Sequence, residues 1–145
     1  MIISTLITAS FLSFSAQDFI GFKDDAAKTL QHCVYLHKTY PESYAKIQSV
    51  SDKTMVILSE VDIKGVAAIA VIPIDPTITP KIFISDYLWD DKNPRFNFGV
   101  DYKKVMAHEL LHLIGLPNHK VYKTYEEYKF NDEIEFTIKA CFINE

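Results

Sequence analysis

The chain reads as a single α+β domain: a small twisted mixed sheet with an early helix, a histidine-bearing helix and a short C-terminal helix. Three observations predict it. Apolar residues recur at helical spacing near residues 23–40 and 101–114, and again close to the C-terminus. Between the first two lie short apolar runs bounded by prolines and turn residues, the pattern of strands. With 145 residues, 48% hydrophobic and 23% charged, the chain can bury one core, and no linker or repeat divides it.

Each element has its own warrant. Over residues 23–40, Ala26, Ala27, Leu30, Cys33, Val34 and His37 fall three and four residues apart, and Pro41 closes the predicted helix. From Tyr44 to Asp62 strands are expected. Ile47 and Val50 lead to Met55-Val56-Ile57-Leu58, with Ser51-Asp52-Lys53 as the turn between them. The run Gly65–Ile72 is apolar on both faces and reads as a central strand. Pro73, Pro76 and Pro80 make a loop, because proline cannot donate to a sheet ladder. Lys81–Ser85 is then one short strand, and Asp86 to Phe98 an irregular connection around Trp89. Asp101 can cap the next helix, with Val105, Ala107, Leu111 and Ile114 available for the core. Asn131 or Asp132 can cap the last one, placing Glu133 and Glu135 at its positive end and Ile134, Ile138, Cys141 and Phe142 on one apolar stripe.

Charge and apolar patterning exclude some partners. A net charge of −4 suits nucleic acid poorly, since phosphates call for a basic surface. No stretch reaches the ~20 apolar residues of a membrane span. Residues 1–16, apolar and uncharged, read as a signal peptide with a small-residue exit at Ser13–Ser15 or Ala16, which implies a secreted domain over 17–145. A buried first strand using Ile2, Leu6 and Phe11 is the other reading. Cys33 and Cys141 form one disulfide in a secreted product or stay two thiols inside a cell.

The chemistry concentrates in His108-Glu109-Leu110-Leu111-His112-Leu113-Ile114-Gly115-Leu116-Pro117-Asn118-His119. One helical turn places His108 above His112, so two imidazoles can converge on one metal at Zn–N distances of ~2.0–2.1 Å. Glu109 stands beside them as a candidate general base for a metal-bound water. Gly115 can take the left-handed conformation that turns the chain back under the metal, bringing Asn118 or His119 to it. His32 and His37, five apart, are poorly spaced to share a metal and read as structural or solvent-facing. Zinc-dependent hydrolysis of peptide bonds is the activity this pattern predicts.

His108–Gly115 resembles the metzincin metallopeptidases, whose motif is HExxHxxGxx followed by a third ligand. The order Gly65-Val66-Ala67, Ile82-Phe83-Ile84, Trp89 and Val105 is similar to the matrixin branch. The likeness covers about Gly65 to His119. The resemblance implies a Zn2+ cofactor, a protein or peptide substrate, and Lys81–Ser85 as the edge strand that pairs with it. Two departures stand out. The family's third ligand falls at Asn118, where the snapalysin-like branch has aspartate followed by histidine; zinc prefers an imidazole to an amide, so His119 is the expected ligand. No methionine follows Met106, so the methionine turn of the family is missing. Tyr122 or Tyr125 could add a donor to an oxyanion, but tyrosines this common are more often packing residues.

Two other functions compete. Leu111-His112-Leu113-Ile114-Gly115 is similar to part of the rRNA-maturation zinc endoribonuclease motif, although that family has glycine where Glu109 stands. A catalytically degenerate metal-binding module would account for Asn118 and the missing methionine, but not for the intact Glu109. A monomer without nucleic-acid partner or membrane span is expected.

Overall fold

The computed structural model describes residues 13–63, 66–97, 99–117 and 132–143. Among them are seven helical segments and a three-stranded mixed sheet, an α+β architecture. The elements in chain order are α1 (Ala16–Gln31), α2 (Val34–Thr39), α3 (Pro41–Tyr44), α4 (Ile47–Lys53), β1 (Met55–Leu58), β2 (Ala68–Val71), β3 (Lys81–Ile84), α5 (Asp86–Trp89), α6 (Tyr102–Leu113) and α7 (Glu133–Cys141).

Helix α1 starts with a capping box. The Ser15 hydroxyl accepts from the Asp18 N–H at 3.2 Å, and the Ser15 N–H donates to the Asp18 carboxylate at 2.8 Å. Residues 1–12 of the expected signal peptide lie outside the described residues, but its expected exit does not. The Phe14 N–H donates to the Trp89 carbonyl at 2.9 Å, and the Phe14 ring meets Phe19, Phe22 and Tyr102. A chain beginning after Ala16 would lack this cap and this ring. Phe19, Ala26, Ala27 and Leu30 recur at helical spacing and are buried against α6.

The single helix expected over 23–40 is two. It breaks at His32–Cys33, where Cys33 becomes the N-terminal cap of α2 and bonds to Cys141 across the fold. The strand expected around Ile47–Val50, and the turn at Ser51-Asp52-Lys53, are together helix α4. Ile47 and Ser51, one turn apart, are its buried face. The buried Lys23 ammonium donates to the carbonyls of Ser51 (2.6 Å) and Thr54 (3.4 Å), placing a cation at the negative end of α4. Met55–Leu58 forms the predicted strand, whereas Asp86–Trp89 in the expected irregular connection is one short helix.

The sheet order is β1-β3-β2, with β1 parallel and β2 antiparallel to β3. This exchanges the two expected strand positions. Lys81–Ile84 is central, flanked on both sides, and cannot serve as the edge strand beside a cleft. Ala68–Val71, expected to be central, is an edge strand among the described residues. The physical reason is one-sided burial. Ile82 and Ile84 are fully buried toward the helices, while Ile69 and Val71 remain exposed on the opposite face with Lys81 and Phe83. A continuous apolar run therefore does not report burial on both faces here.

Asp101 caps α6 as predicted, accepting from the Lys104 N–H at 3.1 Å. The helix ends in a Schellman motif. Gly115 has φ +97°, the Leu116 N–H donates to the Leu111 carbonyl, and the Gly115 N–H donates to that of His112, both at 3.1 Å. Asp132 caps α7, accepting from the Glu135 N–H at 3.0 Å; Asn131 lies outside the described residues.

Candidate metal centre

Helix α6 packs between α1 and the sheet, burying Met106, Ala107, Leu110 and Leu111 and leaving His108 and His112 partly exposed together. Their Nε2 atoms are 3.3 Å apart. Two nitrogens bound tetrahedrally at ~2.0–2.1 Å from one zinc would stand ~3.4 Å from each other, so the pair fits the ion the spacing predicts. Among the described residues no group of three or more His, Cys, Asp or Glu side chains is set to hold a metal. The expected third ligand, His119, its rival Asn118, and the candidate donors Tyr122 and Tyr125 lie outside the described residues.

Glu109 is 6% exposed. Its carboxylate accepts a hydrogen bond from the backbone N–H of Ala70, so helix α6 is pinned to strand β2 at the acid itself. The register explains the contact. The Ser85 N–H donates to the Ala67 carbonyl, so residues 67, 69 and 71 bond to β3 while Ala68 and Ala70 direct their backbone groups to the side away from β3. Burial pushes the Glu109 carboxyl from its ordinary 4.5 up to about 7, even though the His108 charge and the Ala70 N–H pull it down.

His108 is bonded on its other nitrogen. Nδ1 lies 3.2 Å from Oε1 of Glu135, on the first turn of α7. Burial alone would lower the His108 pKa; the hydrogen bond to Glu135 and the negative charges of Glu109, Glu135 and Asp132 outweigh it and hold it above the ordinary value. In the sequence Glu135 reads only as a favourable charge at a helix start. No motif marks it, since the contact joins two elements distant in sequence. The other histidines among the described residues are elsewhere, as expected: His32 bonds the Lys28 carbonyl at 2.7 Å and His37 stacks on Tyr44.

A raised carboxyl pKa has a stability consequence. The folded state favours protonated Glu109, so its contribution is complete below pH 4.5 and is lost as pH rises through about 7. In chelator-treated protein the loss should reach about 3 kcal/mol relative to a Glu109→Gln variant, which has nothing to ionise. Urea unfolding of both proteins across that range measures the difference. Parallel pH profiles would show that Glu109 ionises without cost.

Comparison with the models of known protein families, with curated proteins and with solved structures returns no match.

Proposed function

We propose that this chain is a zinc metalloendopeptidase of metzincin type, with His108, His112 and His119 holding the ion and Glu109 as general base. The observation that carries the reading is one helix face. It presents two imidazole nitrogens 3.3 Å apart beside a buried carboxyl with a pKa of about 7. When bound, zinc supplies Lewis acidity, easing deprotonation of water and polarising a carbonyl oxygen. Glu109 accepts the proton of the attacking water and returns it to the leaving amine, a task for which a pKa near the working pH is best. The Ala70 N–H keeps that carboxylate in place. An extended peptide can pair with β2 on the side away from β3, through the Ala68 N–H and C=O, in place of the expected Lys81–Ser85, since among the described residues no strand pairs there. The Cys33–Cys141 bond favours an oxidising, extracytoplasmic setting.

Purified protein should hold about one zinc per chain, released by chelators, and should cleave casein or gelatin but not RNA. His112→Ala should abolish zinc binding. His119→Ala should weaken it far more than Asn118→Ala, because an imidazole is the better donor. Full zinc occupancy in the His112 variant would sink the reading, and cleavage of RNA alone would move it to an endoribonuclease.

A further inference from the structure

We propose that Glu135 is a positioning residue for this centre, holding the proton of His108 on Nδ1 so that Nε2 stays bare as the metal donor beside His112. The inference rests on the zinc reading above. A neutral imidazole carries one proton, and in water it resides mainly on Nε2, the wrong nitrogen for a donor facing His112. In the fold, Nε2 of His108 faces His112 at 3.3 Å while Nδ1 faces Glu135 at 3.2 Å. An ionised carboxylate only accepts, so this contact selects the Nδ1–H tautomer. Glu135 engages the nitrogen turned away from His112, which makes it a partner of the ligand rather than a ligand. Both side chains are about three-quarters buried, at 21% and 28% exposure, so water competes weakly for the bond.

The carboxylate is presented by a fixed element. Asp132 caps α7, Ile134, Ile138 and Phe142 are buried in the core, and Cys141 is bonded to Cys33. Glu133, two residues earlier, turns elsewhere and accepts from the Tyr40 hydroxyl. It anchors the same helix turn through Tyr40, and so serves as a control for mere anchoring.

Zinc affinity should be measured by competition with a chromophoric chelator for wild type, Glu135→Gln, Glu135→Ala and Glu133→Gln. Loss of such an outer partner weakens metal binding by roughly 10–100-fold. Glu135→Ala should fall in that range, Glu135→Gln should lose less because its amide oxygen still accepts from Nδ1–H, and Glu133→Gln should bind as wild type does. A second readout needs no metal. Long-range 1H–15N correlation of chelator-treated protein at alkaline pH should show His108 as Nδ1–H in wild type and mainly Nε2–H in Glu135→Ala. Unchanged affinity or an unchanged tautomer in Glu135→Ala overturns the proposal, as does an equal loss in Glu133→Gln. Wild-type protein that holds no zinc overturns the metal reading and this proposal with it. That result is distinct from normal wild-type binding that no Glu135 variant alters.

Discussion

Glu109→Gln is expected to lower peptidase turnover by roughly 10²- to 10⁴-fold while leaving zinc content and fold intact. The amide occupies the same volume and can still accept from the Ala70 N–H, so α6 keeps its seat on β2. What it cannot do is take a proton. On the proposed mechanism the wild-type protein should also show an acid limb in kcat/KM at or below pH 7. Burial lifts the Glu109 carboxyl to about 7, and a bound cation close by would draw it back down. The residual activity of the variant should lack that limb. Turnover of casein equal to wild type, or an acid limb that survives the substitution, would remove Glu109 from the proton-transfer role.

Helix α6 is legible in the sequence because every feature of it is local. Asp101 caps within three residues, the HExxH spacing sets a face by geometry alone, and Gly115 is needed for a positive φ. The elements that depart from expectation depend on neighbours. Ile47 and Val50 suggested a strand, yet Lys23 sits at the carbonyl end of α4 and Ile47 finds the core at helical spacing with Ser51. Ala68–Val71 looked central from its apolar composition. Only the pairing shows that Ile69 and Val71 lie on the exposed face of the sheet, where none of the described helices packs. For the same reason a charged residue, Lys81, is tolerated at the start of the central strand.

The candidate site divides along the same line. His108, Glu109 and His112 share one helix, so sequence spacing alone brings them together. Glu135 and Ala70 come from elements far along the chain in either direction. These two tertiary contacts tie helix α6 to α7 and to β2. They hold His108 by its far nitrogen and keep Glu109 out of water.

The largest stability effect should come from the Cys33–Cys141 bond, whose existence the cysteine count left open. It joins residues 108 positions apart, the break between α1 and α2 to the last turn of α7. Closing so long a loop restricts the unfolded chain far more than the folded one, and on the chain-entropy account a loop of this length contributes about 4–5 kcal/mol. That is a large share of the roughly 5–15 kcal/mol by which domains are stable. The Cys33→Ser/Cys141→Ser variant should therefore unfold at a much lower urea concentration than the oxidised protein. Fully reduced wild type should follow the variant. Because the effect lies mainly in the unfolded state, the variant should keep the native circular dichroism in the absence of denaturant. Two freely titrating thiols in unreduced protein, or coincident urea midpoints with and without reductant, would mean that the two cysteines do not pair.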